Sequence, residues 1–171
     1  MPRKILTVIS ALLSVLLIVF IFSNSLDNAT ESTKKSDAVY TAINQVAKEI
    51  GIKKEITKAF IRQSAHFLEF TALGISSALT LIFAFAPSPK QKLSQRLAFT
   101  VLTLPFCALI ALIDEYIQTF SAGRVFDVAD ILTDTAGSFV GVILTFSVYL
   151  IVRFFYHSKE KRSHKASSNC S

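Results

Sequence analysis

Hydrophobic and polar positions along this chain separate on the scale of whole segments. Residues 5–22 are apolar apart from a few hydroxyls, and residues 67–86 carry a single charge, Glu69. Residues 97–113 carry no charge, and residues 131–155 carry only Asp134 and Arg153. A bilayer core about 30 Å thick takes roughly 20 helical residues to cross. The pattern therefore predicts an all-α polytopic membrane protein with four transmembrane helices. One membrane domain covers residues 5–155, and a basic tail covers 156–171.

The segments between the runs have patterns of their own. Val39, Ile43, Val46 and Ile50 follow one another at i, i+4, i+7 and i+11, one face of an amphipathic helix in the long loop between the first two spans. Gly51 is placed to end that helix, and Ile56 and Phe60 restart a helical pattern leading into the second span. This outer helix is expected to lie on the membrane or to cap the bundle. Pro87 and Pro89, in PSPKQK, predict a short turn after the second run. Pro105 lies inside the third run, where its missing N–H and bulky ring predict a kink and a freed carbonyl at Val101.

Composition sharpens this picture. Hydrophobic residues make up 51% of the 171, yet the formal net charge is +6. Arg3 and Lys4, then Lys90, Lys92 and Arg96, then Arg153, Lys159, Lys161, Arg162 and Lys165 fall in short segments on one side of a four-span topology. Cytoplasmic loops collect Lys and Arg, so both termini are expected in the cytoplasm of a cell-membrane protein. The basic tail reads as a solvated end near anionic lipid, not as a nucleic-acid contact. The first run has a basic start and small residues after it, as a signal peptide does. At eighteen residues it exceeds the usual core of roughly 7–15, which predicts a retained span. Cys107 and Cys170 fall far apart on this topology and imply no disulfide framework. With no Trp in the chain, Tyr116 and Tyr156 are the expected interfacial anchors.

Charges beside hydrocarbon are costly, and three groups of them collect at one bilayer face. In RQSAHFLEFTALG, residues 62–74, Arg62, His66, Glu69 and Leu73 share one helix face. In DEYIQ, residues 114–118, Asp114 and Gln118 are four apart and share another, with Glu115 beside them. Asp127, Asp130, Asp134, Gly137 and Gly141 form a third stripe, three acids above two glycines that admit a neighbouring helix. Each group has a plain structural reading: a satisfied packing histidine, solvated loop acids, an N-cap at Asp127 or Asp130. Taken together they predict one polar pocket, because none can face lipid cheaply. Arg62 and Arg124 are the natural counter-ions, and Gly123 lets the loop turn Arg124 back over the pocket.

These residues carry a resemblance. R-x-x-x-H-F-x-E-F-x-x-L-G from Arg62 to Gly74 resembles the first signature of the VanZ-like family. D-E-x-x-Q-x-F-x-x-G-R-x-x-D-x-x-D-x-x-x-D-T-x-G-x-x-x-G from Asp114 to Gly141 resembles its second. FSNS, residues 22–25, resembles the Ser-containing motif that members carry after the first span. The family often has Tyr where Phe70 stands and Asn where Asp134 stands, so this chain lacks a hydroxyl and gains a potential charge. The resemblance implies a bacterial envelope protein related to teicoplanin-type antibiotic resistance, and it leaves any reaction open. Two functions lead, with a transporter third. One is an outer-leaflet site in which Arg62, His66, Glu69, Asp114, Glu115, Gln118, Arg124, Asp127, Asp130 and Asp134 bind a lipid-linked cell-wall precursor or peptidyl headgroup, modulating lipoglycopeptide susceptibility. The other is a hydrolase or transferase acting on a lipid phosphate or wall precursor, with His66 as general base oriented by Glu69 and the acids around a divalent cation. No metal, cofactor or catalytic residue is assigned at this level. The expected partners are membrane lipids and a lipid-linked cell-wall precursor or lipoglycopeptide; a transporter would in addition need further copies of the chain, since one copy has four spans.

Overall fold

The computed structural model describes residues 3–26, 39–46, 48–51, 56–85, 92–121 and 123–168, with side chains described as far as 156. Among these residues the chain is helical: α1 (Arg3–Ser25), α2 (Lys58–Phe85), α3 (Leu93–Val101), α4 (Thr103–Gln118) and α5 (Val128–Ser168). Four stretches are long and apolar enough to cross a membrane: Arg3–Ser25, Lys58–Phe85, Leu93–Gln118 and Val128–Tyr156. The four expected spans are all present, with corrected limits. The second starts at Lys58, not residue 67, because Lys58, Arg62 and Gln63 fit the exposed first turns of a helix that the apolar run alone does not mark. The third extends through the polar DEYIQ to Gln118, and the fourth begins at Val128. Helix continues from the fourth span into the basic tail as far as Ser168.

The third span is two helices. Leu102 is the C-cap of α3 and the N-cap of α4. Pro105, three residues on, has no N–H to give to Val101, so the break falls where its ring crowds that carbonyl. The turn proposed at PSPKQK lies almost wholly outside the described residues, and so does Cys170; Cys107 is a buried free thiol.

α2 is the central helix and touches every other helix. Its closest neighbour is α5, and glycines make the approach possible. A Cβ on Gly141 would overlap the Thr71 carbonyl oxygen, one on Gly137 that of Phe67, and one on Gly74 that of Ser138. The expected glycine contact is therefore present, and Gly74 joins it from the α2 side. Hydroxyls stitch the same seam: Thr71 Oγ1 donates to the Gly137 carbonyl at 3.1 Å and Ser138 Oγ to the Phe70 carbonyl at 3.3 Å. The apolar core, built on Ile21, Phe70, Leu73, Cys107, Ile110 and Ala111, lies next to these contacts. Leu12, Leu16, Val19, Val148 and Val152 are more than half exposed, as lipid-facing side chains of a small bundle should be.

Residues 39–46 and 48–49 are helical, as the loop periodicity predicts. Gly51 ends the segment at φ 83°, a left-handed value that glycine adopts without strain. The apolar face does not cap the bundle: Val39, Ile43, Val46 and Ile50 are all exposed. The opposite side holds the segment, because Asn44 accepts from the Ile56 N–H at 2.9 Å and donates to the Ile56 carbonyl at 3.2 Å, just ahead of α2.

Candidate functional site

Directly beside the core, the polar residues converge at one end of the bundle. Asp114 is the centre. It is fully buried, one turn beyond Ile110 and Ala111 on α4. Ser25 Oγ, at the end of α1, donates to its Oδ1 at 2.6 Å, and Gln118 Nε2 donates to its Oδ2 at 2.9 Å. The Gln118 Oε1 accepts from Arg124 Nη1 at 2.5 Å. A relay therefore runs from a loop guanidinium through an amide to a buried carboxylate. Ser121 Oγ donates to the Ser25 carbonyl at 3.0 Å and closes the loop onto α1.

The loop geometry follows from its residues. Gly123 has φ 82°, and the Arg124 N–H donates to the Ser121 carbonyl at 3.2 Å, so the chain reverses and returns Arg124 over the end of α4. Arg124 lies outside the spans and is half-buried. Its burial pushes the guanidinium pKa down and Arg62 adds to that, while Asp114, Glu115 and Asp130 act in the opposite direction. Asp114 thus fixes Arg124 through Gln118 and not by direct contact.

α2 supplies the second wall. His66 and Glu69 are mostly covered, with Nδ1 and Oε2 4.0 Å apart. Asn24 Nδ2, from α1, donates to the other Glu69 oxygen at 3.1 Å. The third wall is α5. Asp134 is buried, 3% exposed, in the same stripe as the buried Gly137 and Gly141. One ligand-capable atom from each of His66, Asp114 and Asp134 falls within 4.8 Å of the others.

Two expected pocket residues sit at the margin. Asp127 is exposed and is the N-cap of α5: its Oδ1 accepts from the Ala129 N–H at 2.8 Å, and its own N–H donates to Glu115 Oε1 at 2.6 Å. Glu115 is thereby engaged in holding the start of α5. Arg62 is exposed and within electrostatic reach of Arg124, and Asp130 is half-buried one turn above Asp134. The residues not anticipated as part of the site are Asn24, Ser25 and Ser121. The FSNS motif pointed to the first two, but only contact with Asp114 and Glu69 gives them a task; Ser121 had no distinguishing signal.

The order of the parts, a serine motif after the first span, R-x-x-x-H-F-x-E at the second and the acidic stretch between the third and fourth, is thus the order in which one site is assembled. No curated protein and no solved structure matches the chain. The model of the VanZ/LLP1 family matches residues 10–153, from within α1 to near the end of the fourth span, and the chain belongs to that family.

Proposed function

We propose that this protein is an envelope membrane protein whose acidic end faces the outer leaflet and binds an anionic, lipid-linked or peptidyl headgroup. Arg3 and Arg96 lie together at the opposite end of the bundle, lining one cavity with Leu6, Thr145 and Tyr149. Their side supports a cytoplasmic placement of that end by the positive-inside rule. The observation that carries the headgroup reading is the relay from Arg124 through Gln118 to Asp114. It holds a planar guanidinium beside a buried acidic cluster, within electrostatic reach of a second arginine, Arg62. Such a pair suits a phosphate or carboxylate that arrives from the membrane surface. By the role associated with the family, binding there changes how lipoglycopeptides meet the cell surface.

The test is binding of a polyprenyl phosphate to the full chain in nanodiscs, together with lipoglycopeptide susceptibility of cells. Arg124→Lys keeps the charge and loses the fork, and is expected to weaken binding by about tenfold, the worth of one charge-assisted hydrogen bond. Lys48→Ala, in the exposed loop helix, should match wild type. Equal binding and susceptibility for the two variants at equal abundance would sink the reading. A second reading, hydrolysis or transfer at a lipid phosphate, is favoured by the convergence of His66, Asp114 and Asp134. Phosphate released from a polyprenyl pyrophosphate by purified protein is its signature.

A further inference from the structure

Asp134 is the least explained residue of the site. Its side chain is 97% covered, and Oδ1 has no hydrogen-bond partner. A buried carboxylate oxygen left so costs free energy and calls for a proton or a cation. Two further polar atoms beside it, Nδ1 of His66 and Oε2 of Glu69, 4.0 Å apart, are also buried without a hydrogen bond. Among the described residues, five carboxylates, those of Glu69, Asp114, Glu115, Asp130 and Asp134, gather near two arginines, Arg62 and Arg124. Positive charge is short at membrane depth, where each uncompensated anion is most expensive.

We propose that His66, Asp114 and Asp134 bind a divalent transition-metal ion of the zinc or manganese class. The donor set is one imidazole and two carboxylates, from α2, α4 and α5. Mixed nitrogen and oxygen donors favour zinc or manganese over calcium, which takes oxygen alone. Ligands held at about 2.1 Å from one ion sit about 3–4 Å from each other. The present spread, within 4.8 Å, is about 1 Å wider than that. Asp114 is already oriented for the task. Ser25 and Gln118 each occupy one lone pair of its carboxylate, and a carboxylate has about four. Hydrogen-bonded carboxylate ligands of this kind are usual around metals, as is a carboxylate beside a ligating histidine, the place Glu69 holds at 4.0 Å. The ion ties together three helices that otherwise bring like charges to one point. Metal binding and headgroup binding at Arg124 are separate properties and fail separately.

The test uses the full chain in detergent, stripped with a chelator and titrated by calorimetry with Zn²⁺, Mn²⁺ and Ca²⁺. One Zn²⁺ or Mn²⁺ per chain is expected, with a rise in melting temperature that Ca²⁺ does not reproduce. Asp134→Asn keeps the side-chain shape and His66→Gln keeps a polar group. Each should weaken binding by at least about tenfold and abolish the thermal shift. The tail carries two more histidines, so His157→Ala/His164→Ala is the control and should bind as wild type does. The proposal is overturned if wild type takes up no Zn²⁺ or Mn²⁺. It is also overturned if uptake survives in Asp134→Asn and His66→Gln, or vanishes with the tail histidines. Uptake that persists in the tail variant supports it even where a pocket variant fails to fold.

Discussion

The two ends of the bundle handle buried charge in opposite ways. At the basic end, Arg3 donates to the carbonyls of Phe83 and Ala84, both at 2.6 Å, where α2 runs out of N–H partners. Arg96 is buried with its guanidinium 4.5 Å from the centre of the Tyr149 ring. These cations complete helix ends and stack on an aromatic face, which is structural work. At the acidic end, both Asp114 oxygens accept a hydrogen bond, yet Asp134, with a carboxylate oxygen within 4.8 Å of one of them, is buried with an oxygen unmatched. Arg96 Nε lacks a hydrogen bond as well, but at the acidic end three neighbouring side chains, His66, Glu69 and Asp134, each bury such an atom, and that grouping is what the proposed site rests on. That contrast, more than the number of charges, separates the site from its scaffold.

The contrast can be broken or sharpened by substitution, and the largest effect is expected where backbones touch. Gly141→Leu places a side chain against the Thr71 carbonyl and the Ile75 amide, both backbone and unable to swing aside. A loss of about 3 kcal/mol or more is expected in a detergent unfolding assay. Val148→Leu, on the exposed face nearer the basic end, should be close to neutral. Equal stability of the two would place the helix contact elsewhere. Next comes Asp114→Ala, which strands the Ser25 hydroxyl and the Gln118 amide and frees the Arg124 relay. Its cost is expected to be about 2–3 kcal/mol, and Asp114→Asn should recover part of it. Asp127→Ala removes an N-cap and should cost about 1 kcal/mol while headgroup binding stays as in wild type, which separates this exposed acid from the buried ones. The smallest effect belongs to the basic end. Tyr149→Leu removes the ring under Arg96 and should cost about 0.5–1 kcal/mol with no change in metal or headgroup binding. A larger functional loss there than at Asp114 would reverse the assignment of the two ends.

Much of the fold was legible because membrane insertion writes itself into sequence as long apolar runs. Span existence followed from this, but span limits did not. Arg62, His66 and Gln118 are polar residues within helices, and hydropathy counts them as loop. The glycine stripe was legible for the same reason, since small residues at helical spacing leave a groove that something must fill. The outer helix was predicted from its period, while its orientation was not. Periodicity marks an apolar face but not what the face meets, and here Asn44 turns that face away from the bundle.

The sequence by itself determined four membrane helices, a break near Pro105, and three polar stripes at a common depth. It did so because hydrocarbon penalises polar groups whatever the tertiary arrangement, and because helical spacing alone assigns residues to faces. The tertiary structure alone decided which charges meet. It placed Ser25 on Asp114 across 89 positions of chain, and Asn24 on Glu69 across 45. It reduced Asp127 to a cap, engaged Glu115 with the start of α5, and left Asp134 buried without a full set of partners. These outcomes depend on distances between helices, set by the close approach of α2 and α5 at their glycines, and no pattern within one helix encodes the distance to another.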